Sequence, residues 1–212
     1  ELLSTVPQGA ESAFPAAEYD RRLAAVRSRI AERGLDLAIV NGPENIFYLC
    51  GQQTPGYYTF QALCVPAERS PFLVLRALEA PNARLNTFLD DIEGYADDVA
   101  PPAALARALE ARGWKGRRVG VDRNAWFLSV NAHAALTEAF GPLEDASGLV
   151  EPLRRVKSPL EIEQLEAAAK ANDAGMAAGL AAVDAGVSEN AVASAIMGAA
   201  IAAGSEYVGM EP

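Results

Sequence analysis

The chain has 212 residues, half of them hydrophobic and 22% charged, which supports a sizeable core and argues against disorder. Lys and Arg number 18 against 28 Asp and Glu, so the net charge is −10, the wrong sign for a nucleic-acid or anionic-membrane surface. Two cysteines cannot build a disulfide framework, and one histidine falls short of most zinc sites.

The chain opens on Glu1-Leu2-Leu3 and reads as processed or trimmed. No basic start leads into a long apolar run, so no signal peptide is expected. The most apolar stretch, Ala191 to Ala203, is shorter than the roughly 20 residues that span a bilayer. The expected compartment is the cytoplasm.

Residues 1–17 hold Pro7, Gly9 and Pro15 without periodicity and read as an irregular arm. Tyr19, Leu23, Val26 and Ile30 then line one helical face, with Gly34 placed as a C-terminal cap. Leu35 to Val40 reads as a buried strand, and Asn45 to Gly51 is apolar but too short to assign. Gln61–Val65 and Phe72–Leu75 form a hairpin pattern across a turn. A weaker helix is expected near Leu78–Leu89 and an edge strand at Asp91–Tyr95. Pro101-Pro102 opens a helix with Leu105 and Leu109 inward, and Arg118–Asp122 is a strand. A helix over Trp126–Phe140 is expected to bury Phe127, Val130, Ala134 and Leu136, with a short strand at Leu143–Ala146. Strands alternating with helices give an α/β sheet domain over residues 18–150.

The pattern changes over residues 151–212. Ser158-Pro159-Leu160-Glu161 is a capping box with proline in the first turn, and the helix it starts can run to Ala185. Ser188 caps a second helix that reaches Ala203. Both are rich in alanine and glycine, which expect burial. This segment reads as a linker and the start of an incomplete second domain.

Few residues look chemical. His133 has no cysteine or carboxylate three or four positions away, so it reads as an ordinary helical histidine. Cys50 and Cys64 sit in apolar segments and read as buried free thiols. Asp90-Asp91 and Asp97-Asp98 are adjacent pairs that diverge and read as solvated charge. No phosphate loop and no nucleophile elbow is present. Arg154-Arg155-Val156-Lys157 is too small a basic run for nucleic acid, and is expected to dock on acidic surface between the two domains. The most functional-looking segment is Gln52-Gln53-Thr54-Pro55-Gly56-Tyr57-Tyr58-Thr59, whose amides and rings suit ligand contact.

Three stretches resemble the creatinase and Xaa-Pro peptidase family: Asn45-Ile46-Phe47-Tyr48-Leu49-Cys50-Gly51, Val119-Gly120-Val121-Asp122 and, most specifically, Leu153-Arg154-Arg155-Val156-Lys157-Ser158-Pro159-Leu160-Glu161-Ile162. The resemblance implies an α/β fold with a mixed sheet and helices on both faces, followed by a helical pair that begins a truncated pita-bread α+β domain. It implies the N-terminal, non-catalytic portion of an Xaa-Pro dipeptidase- or aminopeptidase-like hydrolase. Such a portion forms a homodimer and contributes to the partner subunit's pocket for a small peptide or amide substrate. Gln53, Tyr57, Tyr58 and Thr59 are the substrate-contact candidates. No catalytic residue, metal ligand or cofactor is expected within this chain; a divalent metal (Mn, Co or Zn) belongs to the full-length protein. No Lys or Arg lies between Gly34 and Glu68, which argues against creatine as substrate. The alternatives are a creatinase- or ectoine-hydrolase-like metal-independent amide or amidino hydrolase, and a non-catalytic peptide- or protein-binding module.

Overall fold

A computed structural model describes residues 7–206. Two compact units divide at Arg155 and Val156. The first is built on a six-stranded sheet in the order β4-β3-β2-β1-β5-β6. Its strands are β1 (Leu37–Val40), β2 (Ala62–Pro66), β3 (Phe72–Arg76), β4 (Asp91–Tyr95), β5 (Val119–Val121) and β6 (Glu144–Asp145). β2 is antiparallel to β1 and to β3, while β1–β5, β3–β4 and β5–β6 are parallel pairs. Among the described strands β2 therefore runs against all the others. The carboxyl ends of β1, β3, β4, β5 and β6 open onto one edge, where loops of α/β sheets collect ligands.

Helices cover both faces because the strands alternate. Ala38, Val40, Leu63, Val65, Leu73 and Leu75 face a core with Leu23, Val26 and Ile30 of α1 (Ala16–Glu32) and Ile46 and Leu49 of α2 (Pro43–Cys50). Leu37, Ile39, Cys64, Phe72 and Val74 face a second core with Leu105 and Leu109 of α4 (Pro101–Ala111) and Leu136 and Phe140 of α5 (Val130–Phe140). The expected mixed α/β sheet is the one observed.

The apolar run at 45–51 is a helix. Pro43 pre-sets its first turn, and Gly51 ends it at φ 83°. A Cβ at Gly51 would sit 2.7 Å from the Asn86 carbonyl oxygen and from Tyr19 Oη, so both backbone sign and space demand glycine. Arg22 lies fully buried between the rings of Phe14 and Tyr48, at 4.3 and 4.4 Å, and donates to the Tyr48 carbonyl and to Glu18. Removing one partner of such a buried ion pair costs about 3–5 kcal/mol.

Several expectations need correction. The arm is not irregular up to residue 17: α1 starts at Ala16, and the Gly9 and Glu11 amides donate to the Arg84 and Leu85 carbonyls at 3.0 Å. Its residues 1–6 lie outside the described residues. The helix near 78–89 is a 3-10 turn, Ala77–Glu79, leading into α3 (Ala80–Asn86). The helix expected from Trp126 begins only at Val130, because Ser129 Oγ accepts from the Ala132 amide and fixes the cap there. Of its four expected core residues only Leu136 is buried; Val130 and Ala134 are exposed and Phe127 half-buried.

A further short helix, α6 (Glu151–Arg154), closes the first unit. Asn45 Nδ2 donates to Glu151 Oε1 at 2.8 Å, Arg154 Nη1 donates to Asn45 Oδ1 at 2.7 Å, and Tyr48 Oη donates to the Leu153 carbonyl at 3.2 Å. Arg154 thus binds within the sheet domain.

The second unit contains α7 (Pro159–Ala182) and α8 (Glu189–Ala202). The Ser158–Glu161 capping box is present in both directions. Ala171, Gly175 and Gly179 recur every four residues and are the buried face of α7. A Cβ at Gly179 would meet Ile196 Cγ1 at 2.5 Å, so the helices approach as closely as glycine allows. Leu165, Met176, Leu180, Val183 and Ile201 are exposed. Among the described residues no helix is long and apolar enough to cross a membrane.

Candidate functional site

The loop between α2 and β2 stands at the carboxyl edge of the sheet, and its base is clamped. Asn82 and Asn86 of α3 donate to the Gln53 carbonyl at 2.6 and 3.2 Å. Thr54 Oγ1 donates to Glu79 Oε2 at 2.5 Å and accepts from the Gly56 amide at 2.9 Å. The Thr59 amide and hydroxyl both donate to the Gly56 carbonyl, at 2.9 and 2.8 Å, closing the tip. Tyr95 Oη donates to the Phe60 carbonyl at 2.6 Å, and Asn41 Nδ2 to the Gln61 carbonyl at 2.9 Å. These bonds fix the loop's two ends and leave its tip projecting.

Four residues of this loop were singled out by type, and their settings differ. Tyr57 and Tyr58 are 51% and 77% exposed, with ring centroids 6.2 Å apart in an edge-to-face arrangement. Gln53 is half-buried and its carbonyl is engaged; Thr59 is half-buried and its hydroxyl serves the turn. The two tyrosines are therefore the outward-facing members. Gln52, which precedes Gln53, is 2% exposed, and neither end of its amide has a partner among the described residues.

Sequence reasoning missed a second contributor. The turn after β5 places Phe127 edge-on to Tyr57 at 6.0 Å, and Trp126 edge-on to Phe127 at 5.6 Å. The turn is built on Asp122, whose carboxylate accepts from the Asn124 amide at 3.0 Å and whose carbonyl accepts from the Ala125 amide. Burial pushes the Asp122 carboxyl above its ordinary range, with a smaller push from Glu151 and Asp145; the Asn124 amide and Ser147 pull the other way. The usable signal was the absence of charge from Asn124 to Thr137.

The other candidates are accounted for. Asp91 and Glu93 both pair with Arg112, at 2.7 and 2.6 Å, and Asp97 pairs with Arg76 through two bonds of 2.6 and 2.7 Å. Arg76 holds the Asp97 carboxyl below its usual range. Both thiols are buried, and burial pushes Cys50 up to about 12 and Cys64 higher still, so neither is a ready nucleophile. His133 is half-buried on α5. Among the described residues no group of three or more His, Cys, Asp or Glu is placed to hold a metal ion. A cleft of about 130 Å³, lined by Ala16, Tyr19, Leu23, Pro71 and Phe88, is smaller than the roughly 300 Å³ at which ligand pockets start.

The motifs that carried the resemblance turn out to meet one another. Asn45 of the first bonds to Arg154 of the third, and Asp122 of the second is within electrostatic reach of Glu151 beside it.

The architecture is a mixed six-stranded sheet wrapped by helices on both faces, with an anchored aromatic loop at its carboxyl edge. A family model described as the creatinase/prolidase N-terminal domain matches residues 22–156, and the chain belongs to that family. Ectoine hydrolase of Halomonas elongata is 31% identical over 168 residues, covering 74% of this chain and 42% of that protein. An Xaa-Pro dipeptidase of Lactobacillus delbrueckii subsp. lactis is 28% identical over 170 residues, covering 79% of this chain and 46% of that one. The solved N-terminal domain of Xaa-Pro dipeptidase from Lactobacillus brevis matches with a TM-score of 0.56 at 21% identity, over 64% of this chain and 99% of that chain, a likeness of fold. The chain spans about half the length of the curated relatives it matches.

Proposed function

We propose that this chain is the N-terminal, non-catalytic portion of an Xaa-Pro dipeptidase- or aminopeptidase-like hydrolase. In this reading it pairs with a second copy, and the tip of the loop 52–59 enters the partner subunit's substrate pocket. The observation that carries it is the loop itself: clamped at both ends, uncharged, and presenting Tyr57 and Tyr58 outward in a chain of the creatinase/prolidase N-terminal family. Amide hydrolysis needs an activated water and a group that polarises or protonates the leaving amide. Asp97 is paired with Arg76, Asp91 and Glu93 are paired with Arg112, and the thiols are buried. In this reading, water activation, and any manganese, cobalt or zinc that assists it, belongs to residues outside this chain.

A second reading, a creatinase- or ectoine-hydrolase-like metal-independent amide or amidino hydrolase, is favoured by the 31% identity to an ectoine hydrolase. A paired assay separates the possibilities. The intact hydrolase and residues 1–212 are incubated with Ala-Pro, Gly-Pro, creatine and N-acyl diaminobutyrate-type amides, with and without manganese. Turnover of Xaa-Pro dipeptides by the intact protein and none by the 212 residues is the expected result. Equal turnover by the 212 residues contradicts the placement of the chemistry. Turnover of none of the substrates by the intact protein supports a binding module instead.

A further inference from the structure

Ala16, Tyr19, Asp20 and Leu23 recur at the spacing of one helical face, and that stripe of α1 lines the cleft of about 130 Å³ in the sheet domain. Pro71, just before β3, and Phe88 to Asp90, just before β4, complete it. The volume is the share of about four waters, room for one unbranched side chain or small amine. Its lining includes Leu23, Leu49 and Leu89, all buried and unable to bond water, and Phe88, whose ring is 45% exposed. Two carboxylates, Asp20 and Asp90, also line it; both are exposed, so they stand where the cleft meets solvent. Asp91, Glu93 and Asp97 each hold an arginine, but among the described residues neither Asp20 nor Asp90 has a cation partner. Tyr19 is 4% exposed, and its Oη has no hydrogen-bond partner among the described residues. The neighbouring hydroxyl, Ser12 Oγ, donates to the Phe14 carbonyl instead.

We propose that this cleft binds an alkylammonium group, either a free small amine or the end of a lysine side chain, with Asp20 and Asp90 facing the charge and the apolar walls holding the stem. The inference is independent of the hydrolase reading above. Three features select this chemistry. An ammonium carries three donors and no acceptor, and the cleft offers acceptors only: two carboxylates and a phenol oxygen. No Lys, Arg or His lines it, and Arg22, whose guanidinium stands 5.5 Å from the Tyr19 ring, is neutralised by Glu18 and is not part of the lining. The exposed Phe88 ring adds a face that attracts a cation, while the leucines gain by displacing water along a hydrocarbon stem. An anion meets only like charge here, and a neutral alcohol forgoes the carboxylates.

The test is a heteronuclear NMR titration of residues 1–212 with n-butylammonium chloride, with sodium chloride and 1-butanol as controls. The amine should shift the amide signals of Tyr19, Leu23, Leu89 and Asp90 saturably, in the millimolar range that a ligand of so few atoms can reach. Butanol should bind at least about tenfold more weakly, since it loses the charge-assisted bonds. The double variant Asp20→Asn, Asp90→Asn, with both sites on the surface, should keep its circular dichroism and melt and lose affinity for the amine by a similar factor. A capped Gly-Lys-Gly peptide and its norleucine counterpart separate the two sources. Binding of the lysine peptide alongside the amine assigns the cleft to a lysine side chain, and binding of the amine alone assigns it to a free amine. Equal binding of butanol and butylammonium overturns the proposal on the wild-type chain, without recourse to a variant. Undiminished amine binding by a folded double variant overturns it too, as does the absence of saturable shifts at these amides with both the amine and the lysine peptide.

Discussion

Asp122 shows how a residue of the candidate region can be read through its acidity. Its carboxyl lies buried at the end of β5 and is raised above the ordinary range chiefly by burial. The folded chain then holds a proton over an interval in which the unfolded chain has released it. Stability contributed by this group is complete below the ordinary carboxylate range and is lost as pH rises through the raised value. Asp122→Asn cannot ionise and keeps an oxygen to accept from the Asn124 amide, at the cost of a pH-independent change at Ser147. Its melting temperature relative to wild type should therefore climb with pH across that interval and level off above it. A relative stability that climbs toward acid would contradict this. At this scale the sequence was half legible. Tyr57 and Tyr58 stood out because a Pro-Gly turn with two rings has no helical or strand period to explain it. Trp126 did not, because Phe127, Val130 and Leu136 imitate a buried helical stripe; the structure breaks that stripe at the Ser129 cap.

Local chemistry decided which elements could be foreseen. The Ser158–Glu161 box and the Pro101 start need only neighbours in sequence, and both elements are where their caps place them. α6 is four residues long and exists through the bonds of Glu151 and Arg154 to Asn45, which lies more than 100 positions away, so nothing local marks it. The α7–α8 contact is likewise set by small residues rather than by a strong stripe. Gly179→Val would drive a branched side chain into Ile196, whose Cγ1 already stands 2.5 Å from a Cβ at that position. Overpacking of this kind costs about 1–3 kcal/mol. Hydrogen exchange should show lost protection of the α7 and α8 amides with the β1–β5 amides unchanged, and unaltered protection in both helices would show that the contact tolerates the bulk.

Strand order, unlike strand identity, is a property of the whole molecule, and here it determines the site. β5 lies beside β1 although 78 residues separate Val40 from Val119, and that adjacency brings the Phe127 turn against the Tyr57 loop. The same scale fixes where the first domain ends. α6 is bonded to α2, so residues 1–155 should melt cooperatively by calorimetry, and residues 1–150, which lack the Glu151 and Arg154 bonds, should melt lower. Equal melting temperatures would mean that α6 contributes nothing to the sheet domain.

The central claim is that the loop tip of one copy serves the substrate pocket of the other, and one measurement addresses it directly. In the intact protein, if it is the hydrolase proposed, Tyr57→Ala should raise KM about tenfold or more with little change in melting temperature, since a lost aromatic contact is worth about 1–3 kcal/mol. Residues 1–212 with an unaltered loop are then added to that variant, and KM is followed as mixed dimers form. Action across the subunits predicts that KM returns toward the wild-type value as the 212-residue chain is titrated in. A KM that stays at the variant's value while mixed dimers are present would contradict the account.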